Sequence, residues 1–215
     1  MTTVFENYGV LLGGFAWTLA LIALSTVLAL IGGTILATMR VSPIPLLQKI
    51  SSGYIDVFRN VPTAVVFFFT LFVLPQVDIR ISFFASAVTA LSVYYSAFFC
   101  EAIRSGINSI PGGQAEAARS VGLTFGRSLR LVILPQALRT VIPPLINVFI
   151  ALTKSSAIAS AFGVVELLAS AEQLIAVGSQ DVMAILAVVA LLYLAITIPA
   201  GLVAHHFEHK LAVQR

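Results

Sequence analysis

Five apolar runs dominate the chain, at residues 13–38, 61–79, 81–103, 141–162 and 182–204. About 20 residues at ~1.5 Å rise cross a ~30 Å hydrocarbon core, and a segment in lipid must satisfy its backbone polar groups internally. Each run is therefore expected to be a transmembrane helix, and the expected class is an all-α integral membrane protein with five spans. Composition agrees: 59% of the 215 residues are hydrophobic and 10% charged, against roughly 25% charged in an ordinary soluble domain. The second run is the weakest, since its strongly apolar part, residues 61–75, would be only ~22 Å long. It is expected either to stop short in a protein-lined cavity or to continue past Pro75 as an irregular turn shielded by neighbours.

The distribution of basic residues sets the expected orientation. Arg40, Lys49 and Arg59 fall in the first loop, Arg104, Arg119, Arg127, Arg130 and Arg139 in the third, and Lys210 and Arg215 in the tail, whereas the opposite side holds only Arg80. Positive charge stays inside, so the N-terminus is expected outside and the C-terminus in the cytoplasm. Glu6, Asp78, Glu166, Glu172 and Asp181 collect on the outer face. The first run is not expected to be a cleaved signal peptide, because no Lys or Arg precedes it, the run is too long, and Arg40 follows it.

No catalytic apparatus is visible in what reads as a single domain, 1–215, without internal repeats. There is no Gly-rich phosphate loop, and His205, His206 and His209 cluster without a Cys or carboxylate cage. The i, i+4 pair His205 and His209 has metal-ligand spacing, but a basic and aromatic interface belt is the simpler reading, so no metal site is expected. Cys100, the single cysteine, lies in an apolar run and reads as a small buried hydrophobe.

The polar segment between the third and fourth runs, residues 104–140, is the exception to the apolar pattern. It cannot lie in lipid and must face water. Pro111-Gly112-Gly113 is a turn; Gln114 to Val121 then has the composition of a two-turn helix, in which Ala117 and Ala118 leave room for another surface. Gly122 fits a left-handed residue just past that helix, and Thr124 is a candidate N-cap for a second helix ending at Leu134 before Pro135. The expectation is a helix–turn–helix held by packing on the bundle and on a partner protein, since so short a pair is not stable alone. A plain re-entry loop, whose arginines only obey charge bias, is the alternative.

The run Gln114-Ala115-Glu116-Ala117-Ala118-Arg119-Ser120-Val121-Gly122, followed after nine residues by Val132-Ile133-Leu134-Pro135, resembles the cytoplasmic signature loop of bacterial ATP-binding-cassette importer permeases. Val132 stands where that family usually has Ile. The likeness runs along nearly the whole chain, in the manner of the polar amino-acid branch: Thr18-Leu19, Tyr54, Arg59-Asn60-Val61-Pro62, Glu101 to Gly106, Pro135 to Arg139, Pro143-Pro144-Leu145, Asn147, Lys154-Ser155-Ser156 and Gly163 to Leu167. The resemblance implies a dimer of five-helix subunits, in the bacterial inner membrane, that pairs with two cytosolic ATPases holding ATP and Mg. It also implies an external solute-binding protein that delivers an amino acid. Coupling would fall to Gln114, Glu116, Ala117, Ala118, Arg119, Gly122, Leu134 and Pro135. The chain departs from the family at Asn60, usually Gly, and at Ser155, where Asp or Asn is common.

Lys154 lies 13 residues beyond Val141, hence ~20 Å into the fourth span. A charge at such depth is disfavoured by about 2.5–3.5 kcal/mol and needs compensation. It could attract a substrate carboxylate in a wet cavity, with Ser155, Ser156 and Asn147 as donors, or it could snorkel outward or pair with a carboxylate of the same bundle. Glu101 with Arg104 at i+3, and Arg59 ahead of Pro62, read as gate or interface elements at the inner boundary, Pro62 suiting a helix first turn. The expected function is a non-enzymatic permease subunit of an ATP-driven amino-acid importer, with glutamate or glutamine as the first guess. An ion-coupled secondary transporter and a noncatalytic membrane scaffold are the alternatives. Nucleic acid is not an expected partner; membrane lipid is.

Overall fold

The computed structural model describes residues 4, 6–177 and 181–212; Arg215 of the basic tail lies outside them. Helix α1, Tyr8–Val41, runs for 34 residues. Its buried positions Leu11, Gly14, Thr18, Leu21, Ser25, Ala29, Gly33 and Leu36 recur every three or four residues, a stripe that can only face protein. The rest of its surface exposes Leu12, Trp17, Leu24, Leu28, Ile31 and Ile35. That is the pattern of a helix with one side in lipid.

Helix α1 packs along α4, Phe83–Asn108, and both meet α7, Leu134–Ser156. Leu21, Leu91, Phe99 and Leu152 of these helices, together with Phe67 of the segment Thr63–Phe68, form the centre of the core. Val182–Ala212 (α9) lies against α7 and is continuously apolar up to the His205 turn. Among the described residues four helices are thus long and apolar enough to cross a membrane, and a fifth span exists if a bent pair is counted.

That bent pair is the irregular region. Helix α2, Pro45–Asn60, turns by 105° into Thr63–Val77. The second segment opens as α3, Thr63–Phe68, widens into a π-turn at Phe69–Val73, and tightens into a 3-10 turn at Leu74–Val77. The span was expected either to stop short or to turn irregular past Pro75; the irregular backbone begins six residues before that proline, at Phe69. A proline clashes with the carbonyl four residues back and brings no N–H, and the wider π-turn ahead of Pro75 accommodates both. Pro62 caps α3 in an extended conformation, ψ 139°, and so precedes the first turn instead of starting it.

Two elements had not been read from the sequence. Helix α2 covers most of the first loop, where Lys49, Tyr54, Arg59 and Asn60 had been noted but no helix expected; Ile55 is buried against Leu36, Ala37, Ala97 and Cys100, and the Ser51 hydroxyl donates to the Leu36 carbonyl at 2.8 Å. The second is α8, Leu167–Ala176, a short apolar helix seated on α1 between the last two spans.

Candidate coupling loop and substrate pathway

The loop departs from α4 through a close crossing. A Cβ on Gly106 would overlap Val141, so only glycine lets α4 and α7 approach there, and the Thr140 hydroxyl donates to the Gly106 carbonyl at 2.8 Å. Helix α5, Gly112–Ser120, follows. It ends in a full Schellman turn: Gly122 N–H donates to Arg119 O at 2.9 Å and Leu123 N–H to Ala118 O at 3.1 Å, with Gly122 at φ 82°. This left-handed stop is the one expected from the sequence.

Gln114, Glu116, Ala117 and Arg119 are exposed on α5, but Ala118 is buried. Ala118 therefore packs the loop against itself and offers no surface to a partner; Ala117 is the small residue that stays open. Gln136 ties the loop to its neighbour, donating to Val132 O at 2.8 Å and to Gln114 Oε1 at 3.5 Å.

The second half differs from the expected helix ending at Leu134. Helix α6 is short, Phe125–Ser128, and passes through a second π-turn, Leu129–Ile133, directly into α7. Leu134 begins α7, and Pro135 sits in its first turn, where a missing N–H does no harm. The π-turn precedes Pro135 by the same two residues as the first precedes Pro75.

On α7, Asn147, Ala151 and Lys154 share one exposed face. Lys154 makes no ion pair or hydrogen bond among the described residues, so the structural pairing with a carboxylate of the bundle is not formed within this chain. Ser155 is engaged with Tyr95, Oγ to Oη 2.6 Å. Ser156 is fully buried and donates to Thr153 O at 2.8 Å, which removes it from the face that Lys154 occupies.

Glu101 gathers three guanidinium groups from three helices. Arg104 of α4 donates to both its oxygens at 2.8 and 2.9 Å, Arg59 of α2 approaches to 3.4 Å, and Arg40 of α1 to 3.9 Å. Arg59, Glu101 and Arg104 had been expected at the boundary; Arg40 had been counted only as a topology charge. Sequence reasoning also missed Glu166. It is fully buried instead of lying on the outer surface. It N-caps α8 by accepting from Ala169 N–H at 2.8 Å, and its other oxygen accepts from Thr18 at 3.2 Å and from Tyr193 at 3.0 Å. Burial pushes its carboxyl above the ordinary range, outweighing these donors. His205 and His209 are exposed with their Nε2 atoms 2.9 Å apart.

Residues 29–213 match the family described as binding-protein-dependent transport system inner membrane component. The chain belongs to that family. It is 37% identical to the probable glutamine ABC transporter permease protein GlnM of Bacillus subtilis, over 98% of this chain and 97% of the relative. Against the glutamate transport system permease protein GluC of Corynebacterium glutamicum the identity is 39% over the whole of both chains. Among solved structures, an amino acid ABC transporter crystallised with histidines is similar at TM-score 0.89 and 31% identity, covering 97% of each chain. The permease is a translocation component, and ATP hydrolysis in such systems belongs to separate subunits.

Proposed function

We propose that this permease forms the membrane channel of an ATP-driven amino-acid importer in a bacterial inner membrane, with its N-terminus outside and its C-terminus in the cytoplasm. Two cytosolic ATPases carrying ATP and Mg dock on Gln114, Glu116, Ala117 and Arg119, a second permease completes the pathway, and an external binding protein delivers the solute. The observation that carries this reading is the continuity of the loop with α7: the exposed α5 surface ends in the rigid Gly122 turn, and the helix that follows presents Asn147 and Lys154.

The solute class follows from charge. Among the described residues no carboxylate pairs with Lys154 and Ser155 adds none, so the face is cationic and favours glutamate or glutamine over a basic amino acid. The glutamine and glutamate transport named for the relatives agrees with this choice.

Reconstitution into vesicles with the ATPase and the binding protein tests the proposal. Uptake that requires ATP on the ATPase side and the binding protein on the other is expected. Uptake driven by an ion gradient without ATP would establish a secondary transporter, and ATPase recruitment without uptake would establish a scaffold.

A further inference from the structure

The last helix carries a pair of side chains that the transport reading leaves unused. His205 and His209 stand one turn apart on α9, and both are exposed. Their Nε2 atoms lie 2.9 Å apart. Their ring centroids are farther apart than that, at 4.3 Å, so the two rings converge through Nε2. At such a separation one Nε2 must present its lone pair to the N–H of the other. The contact is a single proton held between two nitrogen bases, and metal ions compete with protons for such nitrogens.

Spacing alone does not select a metal, since any i, i+4 pair shares a helix face. The distances add what spacing lacks. Two nitrogens in neighbouring positions of a square-planar or octahedral ion, with bonds of about 2.0 Å meeting at a right angle, are about 2.8–2.9 Å apart. A tetrahedral ion would need about 3.3 Å. Glu208 supplies an outer partner: its Oε2 is 4.0 Å from His205 Nδ1, and a small rotation of this exposed carboxylate closes a hydrogen bond. A carboxylate on that ring nitrogen fixes the tautomer that leaves Nε2 free to ligate. His206 does not take part; it lies edge-on to Phe207. Among the described residues no third His, Cys, Asp or Glu joins the pair as a ligand, so water fills the remaining positions.

We infer that His205 and His209 bind one divalent transition-metal ion through both Nε2 atoms, at the right angle that nickel(II) and copper(II) accept. Imidazole suits such ions, whereas magnesium and calcium seek oxygen. The ion takes the place of the shared proton and clips two successive turns of α9 together. It uses no residue of the coupling loop or of the Lys154 face, so the site is independent of which solute is moved.

The test uses the full chain, purified without a polyhistidine tag, in phosphatidylcholine nanodiscs. Calorimetric titration with nickel(II) chloride should give one ion per chain, and the electron paramagnetic resonance spectrum of bound copper(II) should show coupling to two imidazole nitrogens. His205→Gln and His209→Gln should each weaken nickel binding about 100-fold, because the second bond is made intramolecularly once the first has formed. Each should also leave a spectrum with a single imidazole. Both positions are exposed and glutamine is a good helix former, so the fold is retained. Glu208→Gln should weaken binding about tenfold through the lost outer partner, and His206→Gln should leave it unchanged. As a check on the wild-type protein alone, acidification to about pH 5 should release the ion, since protons compete for the same nitrogens. Equal affinity in wild type and in either single variant would overturn the inference. So would a one-imidazole spectrum in the wild type, which would make the histidines separate surface ligands, or magnesium binding as tightly as nickel.

Discussion

Thr18 and Glu166, 148 positions apart, hold each other through a reciprocal arrangement: the Thr18 hydroxyl donates to Glu166 Oε2 at 3.2 Å and accepts from the neighbouring Leu167 N–H at 2.9 Å. With Tyr193 on the same carboxylate oxygen, one side chain joins α1, α8 and α9. Glu166→Ala should destabilise the purified protein by about 2–4 kcal/mol, combining a lost N-cap with buried hydroxyls left without an acceptor. Thermal melting in detergent measures this, and an unchanged midpoint would deny the clasp its structural role.

The same residue carries a pH dependence. Its folded-state proton affinity is raised by burial, so the native protein holds the proton more tightly than the unfolded chain. That stabilising contribution is complete below the ordinary value of 4.5 and is lost as the pH rises through the raised value. Wild-type melting temperature should fall over that interval, while Glu166→Gln should show no such fall. Parallel curves would refute the assignment.

Lys154→Met should preserve melting temperature and reduce uptake. No carboxylate among the described residues depends on the ammonium group, so its removal leaves none of them unpaired. Uptake assayed in reconstituted vesicles separates the outcomes: full transport at normal stability would remove Lys154 from the pathway.

Gly122→Val should disturb coupling while sparing membrane insertion. A β-branched residue at φ 82° is disfavoured by roughly 1–2 kcal/mol, enough to loosen the Schellman turn. Co-purification of the ATPase and substrate-stimulated hydrolysis should both drop at normal permease abundance. Ala118→Trp is expected to act differently, by unpacking the loop itself, and should lower abundance as well.

Glu101→Gln should cost about 1–3 kcal/mol, because three partly exposed guanidiniums would then repel one another without a counter-charge. High salt should restore part of the lost melting temperature. Insensitivity to both the substitution and salt would show that the network contributes nothing.

Topology is checked by cysteines introduced at Asp78, Gln173 and Ser109. The first two should react with an impermeant thiol reagent in intact cells and the third should not, as the basic-residue asymmetry requires. Outside labelling at Ser109 would invert the proposed orientation.

The sequence revealed those features whose chemistry is local. Gly122 could be read because few residues other than glycine stop a helix in the left-handed region, and the long spans because apolar length has few other uses. Glu166 was misplaced because an acid just past a span reads as a surface group; only Thr18 and Tyr193, far away in the chain, make burial tolerable. Helix α2 was hidden by its own charges, which drew attention to topology and away from the periodic burial of Ser51 and Ile55. The π-turns left no local signal apart from the prolines two residues beyond them, and a proline is equally compatible with a clean helix start or stop.

The second π-turn has a mechanical consequence. Because it carries the chain from α6 into α7 without a break, the stretch from Phe125 to Ser156 is one continuous helical path, which in the proposed importer would work as a crank. Its handle is the segment after Gly122, and its working arm reaches Lys154 about 30 Å beyond Leu134. Pro143 and Pro144 are its weak joint. In that reading a tilt of the handle of about 3° would swing the Lys154 face by roughly 1.5 Å at a ~30 Å arm, and force applied outside the bilayer would do displacement work deep inside it.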